Sequence, residues 1–89
     1  MINVSFTAYF LRKLRRIGKT DKSLLEEILE KIALFKNRRN HSVLRVHKLH
    51  GDLKNYFAFS VNHKVRIMFE YVNSSTVVMH GVDDHDIYK

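Results

Sequence analysis

Three short runs, "YFAFSV", "KVRIMFEY" and "STVVMHGV", follow one another through residues 56–82 with only two or three residues between them. In the second, Val65, Ile67, Phe69 and Tyr71 alternate with Lys64, Arg66, Met68 and Glu70, the period of a strand with one face buried and one wet. The first places Phe57, Phe59 and Val61 on its buried side, and the third is apolar on both sides, as a central strand is. Asn62-His63 and Asn73-Ser74 are read as two-residue hairpin turns, because Asn and His tolerate positive φ better than most residues. These connections are too short for a parallel crossover, so they dictate an antiparallel meander.

Such a sheet needs a cover for its apolar face, and the N-terminal half supplies one. "INVSFT" alternates as a short strand with Ile2, Val4 and Phe6 on one side. Phe6, Phe10, Leu14 and Ile17 then recur at helical spacing, with Arg12, Lys13, Arg15 and Arg16 outside, Thr7 as the N-cap and Gly18 as a left-handed stop. A second helix is expected from Thr20 or Asp21, with Leu24, Leu25, Ile28, Ile32 and Phe35 as its stripe and Glu27 pairing with Lys31. It runs out near "KNRRN". The order is β-α-α-β-β-β, an α+β domain over residues 1–89: a small antiparallel sheet with a helical hairpin packed on one face. Between the halves, residues 41–55 read as irregular but anchored by Val43, Leu44, Val46, Leu49 and Leu53.

Composition narrows the function. The formal charge is +7, which favours a polyanionic partner, nucleic acid first and an acidic protein second. The excess is uneven: ten Lys/Arg face four Asp/Glu through Asn40, a net +6, and the remainder nets +1. With no cysteine there is no disulfide framework or thiolate chemistry. No apolar run is long enough to span a membrane, so a cytoplasmic protein without a membrane partner is expected.

The open sheet face carries Arg66 and Ser60 and is where function is expected. Arg66, an always-charged planar group among apolar neighbours, suits a phosphate under attack, or an exposed pair with Glu70. His85 can serve as acid or base or be an ordinary surface histidine: an unperturbed imidazole titrates near ~6.5, and Asp84 and Asp86 beside it favour its protonated form. Six histidines with an acidic cluster raise the question of zinc, but there is no two-histidine helix motif and no cysteine. "LRKLRR" on the first helix hints at DNA binding, without a helix-turn-helix to place it.

The segments "HKLHGDLKNYFAFSV", "NHKVRIMFEY" and "GVDDHDIYK", in this order and spacing, resemble the RelE/ParE superfamily of toxins from type II toxin–antitoxin systems, and most closely its RelE- and YafQ-like branch. The resemblance implies an endoribonuclease, an mRNA interferase that cuts mRNA on the ribosome without metal or other cofactor. It also implies neutralisation by a cognate antitoxin in a hetero-oligomer. On this reading His47 matches a catalytic histidine, Tyr88 takes the place of the terminal aromatic, and Arg66 and His85 act on the phosphate and the proton. Arg45, Lys48, His50, Lys54 and Lys64 become RNA contacts. Two departures stand out: Ser60 occupies a position where many relatives carry Arg or His, and Lys64 one where YafQ-like relatives carry an acid. Serine can only hydrogen-bond, so His47 or His63 takes the missing job, with Ser60 and His63 as auxiliary groups. A ParE-like inhibitor of DNA gyrase and an inert antitoxin-binding protein remain open alternatives.

Overall fold

The computed structural model describes residues 1–84, with the backbone alone at Asp84. The elements are β1 (Asn3–Phe6), α1 (Ala8–Thr20), α2 (Lys22–Phe35), β2 (His47–Lys48), β3 (Phe57–Ser60), β4 (Val65–Asn73) and β5 (Thr76–Asp84). One five-stranded sheet runs in the order β1-β5-β4-β3-β2, and the architecture is α+β, with the strands β3 to β5 forming the expected meander.

The sheet is mixed and not wholly antiparallel. β1 lies parallel to β5, with Val4 opposite Val77 and Phe6 opposite Met79. The helical hairpin is the crossover that makes this possible: it returns the chain across the sheet before the meander begins. β2 is a two-residue strand within the segment expected to be irregular, pairing His47 with Ala58 and Lys48 with Phe57.

Both helices start as their sequences dictate. The Thr7 hydroxyl accepts from the Phe10 amide at 3.0 Å, and the Asp21 carboxylate accepts from Leu24 N–H at 3.0 Å. Asp21 also closes α1, its own N–H donating to the Ile17 carbonyl at 2.7 Å. α1 therefore runs past Gly18, which is not a left-handed stop. A Cβ at Gly18 would lie 2.8 Å from Leu25 Cδ2, so the glycine serves the close approach of the two helices. Glu27 does not pair with Lys31 either: its carboxylate accepts from the Asn62 amide at 2.8 Å, while Lys31 sits 3.6 Å from Glu30.

The core lies between the helices and one face of the sheet. Phe10, Ile28 and Phe35 from the helices meet Phe59, Ile67, Phe69, Val77 and Met79 from the strands, all fully buried. Phe35 is the centre of the aromatic packing, stacked on Phe59 at 4.7 Å and edge-on to Phe69 at 4.8 Å. Burying one such side chain stabilises the fold by about 1.5–3 kcal/mol. Leu44 and Leu49 pin the 41–55 segment as expected, but Val43 does not, being 82% exposed.

The turns also differ from expectation. Residues 61–64 join β3 to β4, braced by the Asn62 side-chain Oδ1, which accepts from the backbone amides of both Lys64 and Val65 at 2.8 Å. Ser74 and Ser75 form the second turn, between the paired Asn73 and Thr76. Among the described residues, positive φ occurs at Arg45 (φ 59°) and Gly51 (φ 70°), not at the turn asparagines, whose side chains brace the turns in ordinary backbone conformations.

Candidate functional site

Strand alternation sends Ile67 and Phe69 into the core and therefore sends Arg66, Met68 and Glu70 to the open face. The register then builds rows across that face. Ser60, Arg66 and Asp83 stand opposite one another on β3, β4 and β5, and His47, Ala58, Met68 and Gly81 form the next row. Opposite charges thus sit directly across the β4–β5 ladder at Arg66 and Asp83, an arrangement that favours both. Glu70, whose pairing with Arg66 the sequence left open, meets His80 at 3.2 Å.

Arg45, His47, Ser60, Asn62, His63 and Arg66 line one concavity of about 400 Å³ at the end of these rows. The segment before β2 shapes it. Ser60 N–H donates to the Leu44 carbonyl at 2.8 Å, Val46 N–H donates to the His41 carbonyl at 3.0 Å, and between them Arg45 takes up its left-handed conformation. That conformation is costly for a residue with a side chain, by about 1–2 kcal/mol, and the flanking hydrogen bonds hold it in place. Its carbonyl consequently faces His47, whose Nδ1 lies 2.8 Å away. A carbonyl only accepts, so Nδ1 carries the hydrogen and donates it. In the neutral ring this leaves the lone pair on Nε2.

Five residues singled out from sequence therefore come together: Arg45, His47, Ser60, His63 and Arg66. Others do not join them. Lys48 pairs with Phe57, which packs towards the core, so it belongs to the opposite side of β2 from His47. His50 and Lys54 flank the short 3-10 turn Gly51–Leu53 and are exposed. Lys64 lines the adjoining hollow, with Asp21, Leu24 and Glu27, which shares Asn62 and His63 with this one. His85 and Tyr88 lie outside the described residues. Asn62 is a lining residue that sequence reasoning missed, having been read only as a turn former. Among the described residues, no group of three or more His, Asp or Glu side chains is placed to hold a metal ion, and no helix is long and apolar enough to cross a membrane.

No family model matches the chain, and no curated protein matches it in sequence. Solved structures do match. The chain is similar to a YoeB/ParE toxin from Agrobacterium tumefaciens, at 15% identity and a TM-score of 0.68, over 94% of this chain and 99% of that one. It is similar to a chain of the heterotetrameric YoeB–YefM toxin–antitoxin complex from Staphylococcus aureus, at 19% identity and a TM-score of 0.70, over 96% and 98%. It is also similar to a chain of the DinJ–YafQ complex from E. coli, at 13% identity and a TM-score of 0.75, over 98% and 97%. Over nearly its whole length, this chain has the fold of these toxin structures.

Proposed function

We propose that the protein is the toxin of a toxin–antitoxin pair and acts as a metal-independent endoribonuclease on mRNA. The observation that carries the reading is the pinned His47, with its Nδ1 hydrogen given to the Arg45 carbonyl, in the same concavity as Arg45 and Arg66. A base with a fixed tautomer beside two permanent cations is what attack by a ribose 2′-hydroxyl on its own phosphate requires.

In this reading His47 Nε2 takes the proton from the 2′-hydroxyl as its oxygen bonds to phosphorus. Arg66 and Arg45 neutralise the charge that grows on the phosphoryl oxygens, each through planar charge-assisted hydrogen bonds. Ser60, next to Arg66 in its row, donates one further hydrogen bond. The bond from phosphorus to the 5′-oxygen breaks, and that oxygen leaves with a proton, the role assigned to His85, with Tyr88 assisting or stacking on a base. The products are a 2′,3′-cyclic phosphate and a free 5′-hydroxyl. The step needs the 2′-OH and so selects RNA over DNA.

The antitoxin partner follows from the fold's likeness to toxin chains solved with YefM and DinJ, together with a basic N-terminal half suited to an acidic segment that folds on binding. The ribosome is the proposed place of action, as the setting in which mRNA is presented extended and single-stranded. Mass spectrometry of RNA fragments released in a translating extract tests the chemistry. The expected termini are 2′,3′-cyclic phosphate and 5′-hydroxyl; loss of gyrase supercoiling activity with intact RNA would assign the protein to the ParE-like alternative instead.

A further inference from the structure

About 13 Å along β4 from Arg66, at ~3.3 Å per residue, the open face carries a second polar group that the cleavage chemistry leaves unused. Glu70 Oε1 accepts from His80 Nε2 at 3.2 Å, and the rings of His80 and Tyr56 meet perpendicularly with centroids 5.3 Å apart. A β-bulge builds this arrangement. The register slips between Met68 and Phe69, so that both His80 and Gly81 fall where one residue would otherwise oppose Met68. Bulges of this kind re-aim side chains beside functional sites. All three side chains are partly solvent-accessible.

We propose that Tyr56, Glu70 and His80 form a base-reading subsite, about two nucleotides from the attacked phosphate on an extended strand, with a preference for guanine; this rests on the ribonuclease reading for its substrate class. The perpendicular rings form a corner against which a base stacks. The chemistry of the reading edge selects among bases. A carboxylate only accepts hydrogen bonds. Guanine alone presents two adjacent donors, N1–H and the N2 amino group, to its two oxygens. In adenine and cytosine the amino donor stands beside a ring nitrogen that would face the carboxylate lone pair to lone pair, and in uracil the single N3–H stands between two carbonyls. His80 positions the carboxylate through Oε1, and Oε2 takes the second bond.

The test is binding of fluorescent 2′-fluoro hexamers, which lack the attacking hydroxyl and cannot be cut. One probe contains guanosine, and a second replaces it with inosine, which lacks the N2 amino group. The full-length protein is expected to bind the guanosine hexamer at least fivefold more tightly. Glu70→Gln, which substitutes an amide donor for one acceptor oxygen at the same size, is expected to abolish that difference. Tyr56→Ala is expected to weaken both probes by the same factor. Equal binding of the two probes by the parent protein, failure to bind either, or an unchanged preference in Glu70→Gln overturns the inference. If the parent cleaves mRNA but shows no preference, the subsite fails and the nuclease reading stands. A guanosine preference without cleavage keeps the subsite and removes the nuclease.

Discussion

The imidazole of His47 and the carbonyl of Arg45 are joined by a 2.8 Å hydrogen bond, and Arg45 makes it from a left-handed backbone conformation with φ 59°. One residue therefore does two jobs at the concavity. Its backbone sets which ring nitrogen of His47 is available, and its guanidinium adds a cation to the lining.

The two jobs separate by substitution. Arg45→Ala removes the guanidinium but keeps a Cβ in the left-handed region, whereas Arg45→Gly removes both. Arg45→Gly is expected to be the more stable of the two by about 1 kcal/mol in urea denaturation, because glycine adopts φ near +60° without steric cost. Both variants are expected to lose RNA cleavage to the same extent, since both lack the charge. A glycine variant less stable than the alanine variant would show that the conformation at position 45 carries no strain.

At the helix–helix contact, two terms oppose each other in Gly18→Ala. Alanine is favoured over glycine inside a helix by about 1 kcal/mol, but its Cβ would stand 2.8 Å from Leu25 Cδ2. The obstructing atom is the end of a side chain that can change rotamer, at a cost of about 0.5–1.5 kcal/mol. The single substitution is expected to leave stability within about 1 kcal/mol of the parent. In a Leu25→Ala background the same substitution is expected to stabilise by about 1 kcal/mol. A double-mutant cycle on thermal or urea unfolding reads the difference directly.

Asn62 holds the β3–β4 connection through two backbone amides and ties it to α2 through Glu27. Asn62→Ala removes all three hydrogen bonds and is expected to destabilise by about 1–3 kcal/mol. Asn62→Asp keeps the acceptor for the turn but sets a second carboxylate against Glu27. Its loss is expected to be smaller than that of the alanine variant, and to shrink further when combined with Glu27→Gln. Equal stability of the alanine variant and the parent would contradict the bracing role.

The parts of the fold legible in the sequence were those where one element's own periodicity decides. The alternation of Val65, Ile67, Phe69 and Tyr71 gave both the strand and the face on which Arg66 stands, and the stripe of Ile28, Ile32 and Phe35 marked the buried side of α2. What could not be read depended on a partner distant in sequence. Gly18 looked like a helix stop because its reason, Leu25 on the facing helix, is tertiary. Glu27 sat at the right spacing for Lys31 but met Asn62 across the fold. The parallel pairing of β1 with β5 joins residues over seventy positions apart. At the site, Arg66, His47, Ser60 and His63 were recognisable by type and by resemblance. The conformation of Arg45, and with it the tautomer of His47, belongs to the loop's hydrogen bonding and leaves no mark in residue type.

The most direct test of the ribonuclease reading is primer-extension mapping of mRNA in a translating extract, comparing the parent protein with His47→Ala and Arg66→Ala, each confirmed folded by circular dichroism. The parent is expected to leave discrete cuts, and each variant to weaken them at least about tenfold, a loss of about 1.4 kcal/mol or more of transition-state stabilisation. Intact mRNA with the folded parent protein, or undiminished cutting by both variants, would contradict it.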